Sequence, residues 1–144
     1  MLFIGEYNHS IDAKSRAIVP SRFRDLLGDL FVVTKGLDNC LWIFPEEEWS
    51  EFSEKLRTLP LANKDARKLS RFFQAGACEL TPDKQGRILL PQNLREYAGI
   101  EKDLVMVGVG SRIEIWSKER WDAASTFDDM DEVAEQLGEL GFGI

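Results

Sequence analysis

The chain has 144 residues, of which 44% are hydrophobic and 30% charged, and its formal net charge is −7. This length suits one medium-sized domain or two small ones, and the hydrophobic fraction excludes a mostly disordered chain. No stretch reaches the roughly 18 consecutive apolar residues of a membrane span, and no secretory signal is expected at the N-terminus. The acidic balance argues against a nucleic-acid partner, because domains that bind nucleic acids are often strongly basic.

The first predicted elements are a hairpin, a short helix and a second hairpin. Strands are predicted at residues 6–12, 16–19, 30–34 and 40–44. The second strand ends at Pro20, which has no N–H for a ladder hydrogen bond but is tolerated in the first turn of a helix. A helix is predicted over residues 21–27, with Phe23, Leu26 and Leu27 on one face and Gly28 ending it.

Two longer helices are predicted after the second hairpin. Residues 45–59 carry an apolar stripe and begin with three glutamates, which the helix dipole favours in the first turn. Asn63 is a suitable N-cap for the next helix. The apolar faces of the two helices comprise Trp49, Phe52, Leu56 and Leu59 in the first and Ala66, Leu69, Phe72 and Phe73 in the second.

The pattern of hairpin, helix and hairpin then occurs a second time. With a shift of 71 residues, Asp12, Arg16 and Pro20 align with Asp83, Arg87 and Pro91. The second copy predicts a helix over residues 92–98 and a tight hairpin of residues 104–109 and 112–116. The same order of elements twice indicates a tandem duplication. A weak helix over residues 117–127 and an acidic amphipathic segment over 128–140, either a helix or a loose tail, complete the chain.

The two copies are expected to share one core. Each copy has roughly 45 residues, which is below the size at which a separate core normally holds a fold together. The copies must therefore pack against each other within the chain, or against other chains. Six short strands whose edges need covering favour an intertwined β-barrel over two separate domains.

Few residues are available for catalysis. His9 is the only histidine, and Cys40 and Cys78 lie far apart and outside any CxxC pattern. Neither a catalytic triad nor a zinc site can be assembled from them, and no GxGxxG or GxxxxGK[ST] phosphate-binding loop is present. We therefore expect no enzyme activity, no cofactor and no small-molecule substrate. The low cysteine content is typical of a reducing, cytoplasmic environment.

The repeated Asp-x-x-x-Arg turn is the candidate functional feature. In one interpretation it is structural, because the carboxylate accepts hydrogen bonds from turn N–H groups and the Arg pairs back to it or remains solvated. In the other interpretation, two adjacent basic turns bind a DNA duplex by neutralising phosphates and contacting guanine edges. The candidate DNA-binding residues are Asp12, Lys14, Arg16, Arg22, Arg24, Asp83, Lys84 and Arg87.

The charge is unevenly distributed along the chain. Residues 8–24 contain four basic residues and one acidic residue, whereas residues 117–144 contain two basic and eight acidic residues. Binding depends on the potential at one face and not on the net charge, so the acidic total does not exclude DNA.

A second basic cluster is interpreted as the solvated side of its helix, or alternatively as an ionic contact between subunits. It comprises Lys64, Arg67, Lys68 and Arg71.

The doubled turn resembles the paired signature of the bacterial MraZ family. The segments that carry the resemblance are Ile11-Asp12-x-x-x-Arg16-x-x-Val19-Pro20 and Asp83-Lys84-x-Gly86-Arg87-x-x-Leu90-Pro91, with Phe3-x-Gly5-Glu6-Tyr7, Leu59-Pro60 and Ile113-Glu114-Ile115-Trp116. They extend over the whole chain. A single copy would indicate only the wider SpoVT-AbrB class of swapped-hairpin DNA-binding proteins.

This resemblance implies an α+β fold in which tandem-duplicated swapped-hairpin halves form a double-split β-barrel with flanking helices. Two SpoVT-AbrB-like DNA-binding repeats are expected at residues 5–47 and 76–119, a helical connector at 48–75 and an acidic tail at 120–144. The implied function is transcriptional regulation of the division and cell-wall gene cluster that includes the protein's own gene. The protein would act in the cytoplasm, associated with the nucleoid, as a ring-shaped homo-oligomer on direct repeats in that promoter.

One position departs from the family pattern. The residue before the Arg is commonly Gly, as Gly86 is in the second turn, but Ser15 occupies it in the first. If this position requires a positive φ, Ser15 adopts it at some cost and the two turns are not equivalent. Two other functions stay open beside the regulator: an antitoxin-like protein that binds a protein partner through its acidic tail, and a purely structural ring.

Overall fold

The computed structural model describes residues 2–144, which form eight β-strands and six α-helices. The strands are β1 (Phe3–Ser10), β2 (Arg16–Ile18), β3 (Phe31–Lys35), β4 (Leu41–Pro45), β5 (Cys78–Leu80), β6 (Arg87–Leu89), β7 (Asp103–Gly110) and β8 (Ile113–Ser117). The helices are α1 (Ser21–Leu27), α2 (Glu46–Arg57), α3 (Lys64–Ala75), α4 (Gln92–Ala98), α5 (Lys118–Ala124) and α6 (Met130–Glu139). The prediction of six strands was wrong, because each repeat contributes four.

The strands form two antiparallel sheets in which the repeats exchange strands. The larger sheet has the order β1-β7-β8-β4-β3-β5, and β2 pairs with β6 in a separate two-stranded ribbon. β1 of the first repeat pairs with β7 of the second along its whole length, and β5 of the second repeat pairs with β3 of the first. The order is therefore symmetric about the β8–β4 pair, as a duplicated chain allows.

The first predicted hairpin of each repeat needs a correction. Residues 6–12 and 16–19 do flank a tight turn, but β1 and β2 pair with β7 and β6 and not with each other. The alternation of apolar residues in a strand determines which face is buried and does not determine which neighbour it pairs with. Pairing β2 with β6 buries Ala17 and Ile88 in the interior.

The core is continuous across both repeats, as their small size predicts. α1 and α4 are the helices predicted after the two prolines, and each contributes buried apolar side chains to this core. Their buried residues are Phe23 and Leu27 in α1 and Leu94 and Ala98 in α4, packed in one cluster with residues of both sheets. Neither repeat encloses a hydrophobic core alone.

A second, aromatic cluster lies beneath α2 and α3. The Trp42 ring stacks on Phe73 with 5.4 Å between centroids, and Phe44 stacks on Phe52 at 5.1 Å. Asn63 caps α3 as predicted, since its side chain accepts a hydrogen bond from the N–H of Ala66. Leu69 was placed on the apolar face of α3, but its side chain is exposed.

The C-terminal segment forms a helix that is almost free of packing contacts. Of the two alternatives for residues 128–140, the helix is correct, but α6 has no buried residue. Its apolar side chains Met130 and Leu137 are 42% and 44% exposed, and Phe142 beyond it is 71% exposed. No helix within residues 2–144 is long and apolar enough to cross a membrane.

Candidate nucleic-acid interface

The β2–β6 ribbon presents both repeated motifs on one surface. Arg16 lies opposite Leu89, and Ile18 lies opposite Arg87, in the antiparallel register. Because successive side chains of a strand point to opposite faces, these four side chains lie on the outer face of the ribbon. The central pair, Ala17 and Ile88, points into the core and is fully buried. The core therefore determines the position of the outer face.

Each turn is organised by its aspartate. The Asp12 carboxylate accepts hydrogen bonds from the main-chain N–H groups of Lys14 and Arg16, each at 2.9 Å, and from Arg16 Nε at 2.8 Å. The Asp12 N–H donates to the Arg16 carbonyl, which closes the turn. Asp12 thus holds both the backbone of the turn and the Arg side chain.

The second turn repeats this network with the same distances. Asp83 accepts from the N–H groups of Gln85 and Arg87 at 2.9 Å and from Arg87 Nε at 2.8 Å. In both turns, the main-chain hydrogen bond from the Arg is the largest cause that holds the pKa of the aspartate below its usual value, and the Arg guanidinium lowers that pKa further. The structural interpretation of the motif is therefore correct, since each Arg pairs back to its Asp.

The pairing leaves most of each guanidinium available. Nε is the only side-chain nitrogen of Arg16 and Arg87 that is hydrogen-bonded within residues 2–144, and both side chains stay more than a quarter exposed, at 28% and 27%. A guanidinium fixed through Nε still carries four terminal N–H donors, which suit a phosphate or a guanine edge. The structural and functional interpretations of this Arg are thus compatible.

The two turns lie next to each other. The N–H of Val19 donates to the Gly86 carbonyl, and the N–H of Leu90 donates to the Ser15 carbonyl, so each turn is bonded to the strand of the other repeat. Arg87 Nη1 lies 4.0 Å from Asp12 Oδ2. The expected adjacency of the turns is therefore present in a single chain.

The turns differ at the position before the Arg. Ser15 has a φ of 62° and Gly86 a φ of 78°, so this position requires the left-handed conformation that favours glycine. A Cβ atom on Gly86 would lie 1.9 Å from Arg24 Nη1, since the Arg24 guanidinium packs directly over this turn. Arg95 occupies the corresponding place in α4 but donates from Nε to the Leu90 carbonyl instead.

The remaining predicted residues differ in their surroundings. Lys14, Lys84 and Arg22 are exposed and have no carboxylate partner within residues 2–144. Arg24 of α1 is half-buried against the second turn, and its Nε has no hydrogen-bond partner among residues 2–144. The structure therefore brings the two turns together and packs Arg24 against the second of them.

The sequence did not single out two apolar side chains of the same surface. Ile18 is 45% exposed and Leu89 is 58% exposed, each beside an Arg of the other strand. Each lies two residues after a motif Arg, so the period of two in a strand is the signal that would have placed them outside the core. Ile18 and Leu89 therefore add exposed apolar area to the surface that carries Arg16 and Arg87.

Within residues 2–144, no three His, Cys, Asp or Glu side chains are grouped closely enough to bind a metal ion. Both cysteines are free thiols, and burial raises the pKa of Cys40 to about 12. The chemistry that this surface offers is hydrogen bonding, charge and apolar contact.

Comparison with known proteins identifies the family. The family model described as "MraZ protein, putative antitoxin-like" matches the chain twice, at residues 2–72 and 73–136. The chain belongs to the MraZ family. The two matched segments agree with the duplication found in the sequence.

Curated relatives cover almost the whole chain. The protein of Lachnoclostridium phytofermentans is 61% identical over 140 residues, which are 97% of this chain and 98% of the relative. Those of Clostridium beijerinckii and Clostridium tetani are 58% and 57% identical over 141 residues, with 97% of this chain and 99% of each relative covered. All three are named "Transcriptional regulator MraZ", a description that denotes a regulator and not an enzyme.

Proposed function

We propose that this chain is a sequence-specific, DNA-binding transcriptional regulator. The observation that carries the proposal is the β2–β6 ribbon, which places two identical carboxylate–Arg networks and two exposed lysines on one surface. The names of the relatives support the regulatory role. In this function Asp12 and Asp83 are positioning residues, because they hold Arg16 and Arg87 without needing to touch DNA themselves.

Base contacts are assigned to the outer face of the ribbon. A guanidinium can donate two hydrogen bonds to a guanine edge, and an apolar side chain can contact a thymine methyl group. Arg16 and Arg87 supply the first kind of contact, and Ile18 and Leu89 supply the second. Lys14 and Lys84 on the turns, with Arg22 on α1, neutralise phosphates, and Arg24 supports the second turn.

Because the chain is acidic overall, it needs several subunits to bind DNA tightly. One chain offers only a few positioned cations, so its affinity for a single duplex site is low. An oligomer, which we propose to be a ring, has a higher overall affinity when the operator contains spaced direct repeats, because the first bound subunit raises the effective concentration of the others. The target is the promoter of the division and cell-wall gene cluster that includes the protein's own gene, and the protein acts in the cytoplasm at the nucleoid.

The finer architecture belongs to the same proposal. The exchange of β1 and β5 between repeats, together with the separate β2–β6 ribbon, supports two swapped-hairpin halves of a double-split β-barrel. The proposed functional division is a DNA-binding repeat at residues 5–47, a helical connector at 48–75, a second repeat at 76–119 and an acidic tail at 120–144.

Replacing the two Arg residues tests the proposal. Arg16→Ala and Arg87→Ala should each weaken binding to the chain's own upstream duplex by roughly 5- to 150-fold, measured by fluorescence anisotropy. Two of the three hydrogen bonds to each Asp come from the main chain, so the turn should persist. Because Arg16 and Arg87 are assigned to base edges, the log–log salt slope should change little in these variants, whereas it should fall by about 0.9 for each phosphate-neutralising lysine that is replaced.

The matched control is Lys118→Ala, which removes an exposed cation that pairs with Asp122 on α5. This variant should bind the duplex like the unmodified chain. Unchanged affinity in both Arg variants, with the fold intact by circular dichroism, would show that the ribbon is not the DNA surface.

An antitoxin-like role is the second candidate. The family description contains this term, and the segment 128–139 has six acidic residues and no basic residue, with exposed apolar side chains on its helix. Such a segment suits a basic protein partner. Stoichiometric recovery of one small basic protein, lost when residues 128–144 are deleted, would favour this role.

A further inference from the structure

The acidic helix α6 has an apolar stripe without a packing partner. Met130, Val133 and Leu137 follow the spacing i, i+3 and i+7, and none of them is buried. The carboxylates of the segment also have no basic partner within 4 Å anywhere in residues 2–144. These acidic residues are Asp128, Asp129, Asp131, Glu132, Glu135 and Glu139. Both faces of this helix are therefore available for contacts.

The helical connector presents the opposite charge. Lys64, Arg67, Lys68 and Arg71 follow the spacing i, i+3, i+4 and i+7 on α3, so they share one face, and all four are exposed. None of them has a carboxylate partner within 4 Å in the part of the chain that the structure describes. This basic face is the solvated side that the sequence predicted.

An apolar groove lies beside the basic face. It has a volume of about 310 Å³ and is lined by Leu56, Leu59, Leu61 and Ala66, with Arg57 and Arg67 among its lining residues. Leu61 is 83% exposed and Leu69 on α3 is 39% exposed. A groove with apolar walls and cationic neighbours is suited to an amphipathic helix that carries acidic residues beside its apolar stripe.

We propose that α6 of one chain docks on the α2–α3 groove and basic face of a second copy. Met130, Val133 and Leu137 fill the groove, and the acidic residues of α6 lie against Lys64, Lys68 and Arg71. The complementary surfaces belong to different parts of one chain, so the contact can propagate head to tail, and such a series closes into a ring when the rotation between subunits fits. The inference rests on the oligomeric part of the proposed function and names its contact surface.

Charge reversal tests the contact. We expect Lys68→Glu/Arg71→Glu and Glu132→Lys/Glu135→Lys each to weaken self-association about tenfold or more in sedimentation velocity, because each places like charges in contact. The control Lys102→Glu/Lys118→Glu changes the net charge as much as the first variant does, on other elements, and should assemble normally. Assembly of the unmodified chain should also weaken with added salt.

Mixing the two charge-reversed proteins decides where the helix docks. In an equimolar mixture, the acidic helix of one protein meets the basic face of the other, and the new basic helix meets the new acidic face, so assembly should return. If assembly returns only when both changes are combined in one chain, α6 docks within its own chain and the proposal is wrong. Normal assembly of both separate variants would also overturn it.

A short duplex with one binding site separates this proposal from the DNA-binding function. The charge-reversed chains keep Arg16 and Arg87 and should bind such a duplex like the unmodified chain. Loss of assembly with normal single-site binding is the expected pair of results. If the unmodified chain binds no DNA but the mixing experiment succeeds, the contact stands and the DNA-binding function fails.

Discussion

The turn at residues 12–16 and the turn at residues 83–87 share one hydrogen-bond network but differ in what surrounds it. Both fix an Arg through an aspartate, with the same distances to within 0.1 Å. The first turn has Ser15 in the left-handed region and the second has Gly86 there, beneath Arg24 of the other repeat. The two copies have therefore kept the same Asp–Arg hydrogen bonds, but they differ in the conformational strain at the left-handed position and in the side chains that pack against the turn.

The largest change in the free energy of unfolding is expected when the second turn, like the first, carries a residue with a side chain at the left-handed position. Gly86→Ala places an L-residue at a φ of 78° and also displaces the Arg24 guanidinium. We expect the free energy of unfolding to fall by about 1–2 kcal/mol from the backbone strain, measured by urea denaturation. Arg24→Ala combined with Gly86→Ala should recover the part that is due to the displaced side chain.

Ser15→Ala is the matched control, because it replaces one L-residue by another at the same backbone position and should change stability little. An equal loss in Ser15→Ala and Gly86→Ala would mean that the difference between the turns does not lie in their backbone conformation.

A smaller effect of opposite sign is expected from making the first turn like the second. Ser15→Gly relieves an L-residue at a φ of 62°, but glycine loses more backbone entropy on folding, by roughly 0.5–1 kcal/mol. The free energy of unfolding should therefore rise by less than about 1 kcal/mol in the same urea experiment. A clear loss of stability would indicate that the Ser15 side chain itself contributes to the turn.

The smallest change in stability is expected from the pH dependence of the two aspartate networks, and it should be the same in both turns. The folded-state pKa of Asp12 and Asp83 lies below the usual value. Their stabilisation is therefore fully present above the unfolded-state pKa of about 3.9 and is lost as the pH falls through the lowered value. The amide NMR signals of Lys14 and Gln85, whose N–H groups donate to these carboxylates, should stay unchanged above about pH 5 and shift together as the pH falls below about 3.9. A transition in only one turn would show that the two networks are not equivalent.

Much of the fold could be predicted because local signals determine it. The position of Pro20 before α1 and Gly28 after it, repeated at Pro91 and Gly99, gave both short helices with their correct bounds. Asn63 likewise indicated the start of α3. The pairing partners of β1 and β2 could not be predicted in this way, since an alternating pattern is satisfied by any neighbour that buries the same face.

The candidate site shows the same division. The Asp12 and Asp83 networks are formed by residues at most four positions apart, so the motif itself predicted them. The contact of Arg24 with Gly86 and the pairing of Leu89 with Arg16 depend on how the two repeats pack together, because these residues lie 62 and 73 positions apart along the chain. Only the three-dimensional structure assigns those residues their surroundings.

The exchange of β1 and β5 also affects how such a molecule can arise and change. A chain with a single repeat and the same pairing would fold only as a pair of chains, and its stability would depend on concentration. Joining the two copies in one polypeptide removes that dependence. It also allows each copy to acquire its own substitutions, which identical partners encoded by one sequence cannot do. The serine in one turn and the glycine in the other are a difference of this kind.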